Sequence, residues 1–86
     1  MPTIFPYPDP AKVAHLLDVG QLEPPEPMVR ILEALDSLGQ DESLRVLIDR
    51  EPVPLYSILT RNGYRYRTTP LPNLRFEVMI WLDPAA

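Results

Sequence analysis

Two proline-rich stretches hold the residues whose types and spacing could do chemistry. The first, Glu23-Pro24-Pro25-Glu26-Pro27-Met28, sets two carboxylates three residues apart. Such a pair can serve as general acid and base where a pocket holds one protonated and the other charged. The second, Arg50-Glu51-Pro52-Val53-Pro54-Leu55-Tyr56, offers a guanidinium, a carboxylate and a phenol. Arg50 together with Arg61 and Arg65 could hold a small anion. Tyr64-Arg65-Tyr66-Arg67 alternates rings and cations, a composition that can stack nucleobases. Each pattern has a plainer reading. Glu23 and Glu26 complement the dipole of the helix they open. Exposed arginines serve as solvated charges or surface ion pairs. The Tyr/Arg alternation is that of a surface strand with amphipathic side chains.

The rest of the inventory is narrow. The 86 residues contain no cysteine and one histidine, His15. Without cysteine there are no disulfides, thiolate nucleophiles, zinc–thiolate sites or iron–sulfur clusters within this chain. A histidine-based metal site would need a second chain, and His15 reads as a strand residue rather than a ligand. Neither catalysis, a cofactor nor a metal is expected.

The formal net charge of −4 is unevenly spread. Residues 1–49 carry nine acids against three bases, and residues 50–86 carry five arginines against three acids. The overall sign argues against nucleic-acid binding, while the arginine-rich second half leaves room for a local anion site. No apolar run approaches the length of a bilayer span. No basic segment followed by an apolar one opens the chain, so a cytoplasmic protein is expected.

These residues must be positioned by a small set of elements. Residues 1–12, with Pro2, Pro6, Pro8 and Pro10, are expected to be an extended arm; Ile4, Phe5 and Tyr7 are apolar enough to pack against this domain or a neighbouring chain, and a frayed tail is the plainer reading. A strand is expected over Ala14 to Val19. Prolines 24, 25 and 27 lack the backbone N–H that a helix interior needs, but a first turn has no use for it. The stripe Met28, Ile31, Leu32, Leu35 and Leu38 then predicts a helix from Pro25 to Leu38, with Gly39 at its C-terminus. Ser43 to Asp49 alternates as a second strand. Arg50 to Pro54 is a second proline-stiffened entry leading into a short helix, Leu55 to Arg61, with Leu55, Ile58 and Leu59 on one face and Asn62-Gly63 at its end. Tyr64 to Thr69 and Arg75 to Leu82 are the third and fourth strands, joined by the turn Pro70-Leu71-Pro72-Asn73. Residues 84–86 are a tail.

The order β-α-β-α-β-β predicts an α/β (α+β) two-layer sandwich over residues 13–83. A four-stranded mixed sheet carries both helices on one face, and its last two strands pair antiparallel. Leu44, Val46, Ile48, Phe76, Val78, Ile80 and Leu82 face the helices. Arg45, Leu47, Arg75, Glu77, Met79 and Trp81 face away. Leaving Leu47, Met79 and Trp81 wet is unfavourable, so a homodimer contact or the N-terminal arm is expected to cover them; the plainer reading is isolated exposed apolar residues.

Leu17-Asp18, then Pro24-Pro25-Glu26-Pro27, resembles the TusA/SirA sulfur carriers, whose Cys-Pro-x-Pro motif opens the first helix after a strand ending in Leu-Asp. The match holds at Pro25 and Pro27 and departs at Pro24, which stands at the cysteine position. The run Asp18-Val19, Pro24 to Met28 and Glu51-Pro52-Val53-Pro54-Leu55-Tyr56 is similar, over Leu16 to Leu82, to a related bacterial family of unknown function. Gly20 and Arg50 depart from that family's usual arginine and histidine. The resemblance implies a TusA/SirA-like sandwich, the topology also found in the C-terminal domain of a translation initiation factor, and a setting in nitrogen-oxide or redox metabolism. Sulfur transfer by this chain is excluded because Pro24 has no heteroatom to carry a persulfide.

Two functions follow as expectations. One is a non-catalytic interaction or adaptor module that binds a protein partner or itself. The other is a small-anion or small-ligand domain at the helix N-termini. The residues expected to carry either are Glu23, Pro24, Pro25, Glu26, Pro27, Arg50, Glu51 and Tyr56, with Leu47, Met79 and Trp81 as an interface. No membrane contact is expected.

Overall fold

A computed structural model describes residues 13–39 and 42–83. The proline-rich arm expected over residues 1–12 and the tail over 84–86 lie outside the described residues. Six elements follow in the expected order: β1 (Val13–Asp18), α1 (Glu26–Asp36), β2 (Glu42–Ile48), α2 (Val53–Arg61), β3 (Tyr64–Pro70) and β4 (Phe76–Leu82).

The four strands form one mixed sheet in the order β1-β2-β4-β3. β1 and β2 are parallel, joined through α1; β4 is antiparallel to both β2 and β3. β3 therefore does not pair with β2, although the two follow each other around α2. β4 comes back between them, and Leu71 N–H donates to the Arg75 carbonyl to close the β3–β4 turn. Leu74 in this turn takes a positive φ of 61° and is largely exposed to solvent.

Period-two alternation decides which face is buried. Leu44, Val46, Ile48, Val78 and Ile80 form one core with Ile31 and Leu35 of α1 and Leu55 and Leu59 of α2. Both helices thus serve the same face of the sheet, the expected two-layer arrangement. Phe76 packs at the margin of this core.

Helix ends differ from expectation in two places. α1 stops at Asp36, not Leu38. Ser37 and Leu38 donate to the carbonyls three residues back, Ala34 and Leu35, so the last turn tightens. Gly39 N–H instead donates to Glu42 Oε1 at 2.7 Å. The other difference is that α2 begins at Val53, two residues before the expected Leu55, because Pro54 fits inside a first turn. At its far end Gly63 takes a φ of 81°, the left-handed conformation that glycine adopts without a side-chain clash.

Candidate functional site

The two helix entries meet above the C-terminal ends of β1 and β2. Between them lies a cavity of about 470 Å³. Its walls are largely proline and aliphatic side chain: Pro24, Pro25 and Pro27 from the first entry, Pro52 and Pro54 from the second. Leu22, Met28, Ile31 and Ile48 complete the apolar surface, and Glu23, Asp49 and Arg50 supply the charge.

This geometry follows from the local sequence. Neither helix has a side-chain N-cap; a proline occupies that position in each, Pro25 and Pro52, and a second proline follows in the first turn. The Pro24–Pro25 peptide is cis. The N–H groups that usually make a helix start attractive to anions are largely spent or missing here. Pro27 and Pro54 have none. Glu26 N–H donates to Glu23 O, Val53 N–H to Glu51 O, and Leu55 N–H to Pro52 O.

The structure brings Glu23, Pro24, Pro25, Pro27 and Arg50 together in the cavity wall. It sets the other three expected residues apart from that wall. Glu26 lies on the exposed side of α1 and faces Arg30 at 3.7 Å, one turn on. Glu51 and Tyr56 belong to a separate hydrogen-bonded group: the Tyr56 hydroxyl donates to Glu51 Oε2 at 3.1 Å and lies 2.5 Å from Thr68 Oγ1. Burial is the main cause that pushes the Tyr56 phenol above its ordinary pKa. The Tyr56 ring also stacks on Tyr66, with centroids 4.3 Å apart and planes 1° from parallel. Tyr56 thus ties α2 to β3.

The three-arginine anion site does not form. Arg50 stands before α2 and Arg61 ends it. Nine residues of helix rise about 13 Å and put them at opposite ends. Arg65 lies on the sheet face away from the helices and pairs with Asp83 at 3.2 Å. The stacking strip is split in the same way. Tyr66 points to α2 and Tyr64 donates its hydroxyl to Leu35 O at 3.2 Å on the helix side, while Arg65 and Arg67 occupy the opposite face. Burial, then the charge of Asp36, raises the Tyr64 pKa. His15 sits on β1 with Nε2 2.7 Å from Glu42 Oε2. The hydrogen bond to His15 is the first of the causes that lower the Glu42 pKa, the Gly39 N–H the second.

One cluster beside the cavity went unnoticed in the sequence. Arg75, just before β4, donates from Nε to Asp49 Oδ1 at 2.9 Å and from Nη2 to Asp18 Oδ1 at 2.5 Å. Asp18 also accepts the Gly20 N–H at 2.9 Å. That N–H first, then the Arg75 guanidinium, holds the Asp18 carboxyl below the usual carboxylate range, and Asp18 in turn raises the Arg75 pKa. The guanidinium stands so close over Gly20 that a Cβ there would collide with it and with Asp49. The cluster fastens the ends of β1 and β2 to the start of β4. Its sequence signal is the matched placement of an aspartate at the end of each parallel strand: Asp18 closes β1 and Asp49 directly follows β2.

Leu47, Met79 and Trp81 do share the face away from the helices, but in different surroundings. Arg45, beside Met79, binds Glu77 at 2.7 Å, and Glu77 stands opposite Leu47. Leu47 and Met79 are half-buried, whereas Trp81 is only 8% exposed.

No helix among the described residues is long and apolar enough to cross a membrane. Neither a curated protein nor a solved structure matches the chain. Residues 16–81, which run from β1 into β4 and include both helix entries, match the family described as "Uncharacterized conserved protein (DUF2249)", and the chain belongs to that family.

Proposed function

We propose that this domain is a non-catalytic docking module and that the cavity between the two helix entries receives an apolar segment of a partner protein. The observation that carries this reading is the wall of five prolines and aliphatic side chains around a space of about 470 Å³. Rigid apolar walls lose little conformational entropy on binding and reward burial of an apolar side chain. Hydroxyl, thiol and imidazole groups do not line the cavity among the described residues, so a serine-, cysteine- or histidine-type nucleophile is not offered there.

The alternative, a small-anion site at the helix N-termini, has less support. Prolines and local hydrogen bonds occupy the first-turn donors, and Glu23 and Asp49 outnumber Arg50 on the wall. We extend to this fold the likeness to the TusA/SirA carriers, with a bacterial cytoplasm as its setting. On that reading the strand-to-helix junction keeps the carrier's shape, and Pro24 replaces its reactive thiol.

The test is a photo-crosslinking amino acid placed at Pro24 in the intact protein in its native cell, with the same group at Arg61 as the control. The expected result is a discrete adduct from position 24, competed away by a synthetic segment of the partner, and none from position 61. Equal labelling from both positions overturns the reading. A thermal shift with millimolar inorganic phosphate, abolished by Arg50→Ala, would favour the anion site instead.

A further inference from the structure

A second cleft, of about 360 Å³, lies at the far ends of the two helices. Its wall comes from the C-terminal part of α1, the C-terminal part and cap of α2, and Tyr64 at the start of β3. It stands apart from the proline cavity at the helix starts and shares no lining residue with it. Its floor is aliphatic, with Leu32 and Ile58 half-buried beside the buried Leu35 and Leu59. Three polar side chains line it, and each has acceptors to offer. The Tyr64 hydroxyl spends its hydrogen on Leu35 O at 3.2 Å. Asn62 Nδ2 donates to Ile58 O at 2.7 Å, which leaves Oδ1 as an acceptor. Asp36 is a carboxylate in the last turn of α1, where it adds to the negative end of the helix dipole instead of offsetting it. α2 carries Arg61 in its last turn, but α1 has no base in its own, and no base among the described residues pairs with Asp36. The Asp36 charge reaches the Tyr64 phenol, whose pKa it helps burial to raise.

Such a site calls for a cation. One carboxylate is too few charged ligands for a divalent metal, and no group of metal-ligating side chains forms among the described residues. The aliphatic floor asks instead for an apolar stem. A ring beside a carboxylate suits a flat guanidinium, which stacks on the one and bonds the other through two N–H groups. Free arginine would also bring a carboxylate, which Asp36 repels and for which no base lines the cleft among the described residues. An arginine within a chain brings none. We propose that this cleft receives an arginine side chain of a partner protein, with its guanidinium against Asp36 and Tyr64 and its stem along Leu32 and Ile58. The unfavourable placement of Asp36 at a helix C-terminus is then a binding feature, kept at the expense of stability.

The test is a titration of the isotope-labelled full chain with N-acetyl-arginine methylamide, followed by its amide chemical shifts. Saturable shifts centred on Asp36, Asn62 and Tyr64 are expected at millimolar probe. N-acetyl-citrulline methylamide has the same shape without the charge and should bind severalfold more weakly. Free arginine should also bind severalfold more weakly, and so should the capped lysine probe, which has a charge but no flat face. Equal shifts from the arginine and citrulline probes overturn the proposal, as does an arginine response that survives Asp36→Asn unchanged. Free arginine that equals its capped form overturns the assignment to a partner chain, and lysine that equals arginine overturns the assignment to a guanidinium. Stability gives a readout that needs no ligand. Asp36→Asn takes a charge from the negative end of α1 and should leave the melting temperature unchanged or raise it. A clear fall gives Asp36 a structural role and overturns the proposal.

Discussion

The two helix entries have the same sequence grammar and opposite fates. Pro25-Glu26-Pro27-Met28 and Pro52-Val53-Pro54-Leu55 are in the same register, with proline at the N-cap and again two residues later. The residue in third place is half-buried in α1, where it is Met28, and fully buried in α2, where it is Leu55. The next residue is exposed Val29 in α1, and in α2 it is Tyr56, bonded to Glu51 and Thr68. Pro52 is buried while Pro24 and Pro25 lie at the surface. One entry is therefore a fixed wall and the other a lip. The difference teaches that a proline pattern specifies how a helix starts, and that the neighbours decide whether the start is structure or surface.

The sharpest way to break this contrast is to truncate the matched third positions. Leu55→Ala removes a fully buried side chain and should cost about 2–5 kcal/mol in urea unfolding. Met28→Ala should cost clearly less, about 1 kcal/mol. Equal losses would dissolve the distinction between wall and lip. Tyr56→Phe comes next: it removes the hydroxyl from Glu51 and Thr68 and should lower stability by about 1 kcal/mol. Val29→Ala, at the same register, should be near neutral in the same assay.

The pH dependence tests the Asp18–Arg75–Asp49 fastening beneath the lip. The Asp18 carboxyl titrates below its ordinary value of 3.8 in the fold. Its contribution is thus fully present above that value and is lost as the pH falls through the lower folded one. Melting temperatures followed from about pH 5 down to pH 2 should fall less steeply in Asp18→Asn than in the wild type. Parallel curves would remove Asp18 from the account. A small effect belongs to Glu26→Gln, which loses the acid complementing the α1 dipole; a change of about a few tenths of a kcal/mol is expected, shrinking further in high salt.

Much of this was legible in the residues because it rests on local periodicity. Leu44/Val46/Ile48 and Val78/Ile80 announce their shared face by alternation, and the Met28-to-Leu35 stripe announces α1. Convergence of the two proline entries followed from the parallel β1–β2 pair. The rest depends on contacts far apart in the chain. Nothing local tells β4 to lie between β2 and β3. Arg75 meets Asp18 across 57 residues, and Tyr56 finds Tyr66 only once α2 is laid on β3. Trp81 was assigned correctly to the face away from the helices, yet alternation says nothing of how deeply that face is covered at one row. Arg50, Arg61 and Arg65 looked like a cluster because they are near in sequence, but α2 holds the first two apart by its own length.

The strand order has a consequence for how the domain comes into being. β4 is the last of the six elements to be synthesised, yet it occupies an inner position and supplies two of the three strand ladders. Until it leaves the ribosome, β3 has no partner in the sheet, and β1 and β2 make only a two-stranded ribbon, too little to be stable alone. Folding is therefore committed late in synthesis, because the β2–β4 pairing that completes the sheet joins residues far apart in the chain.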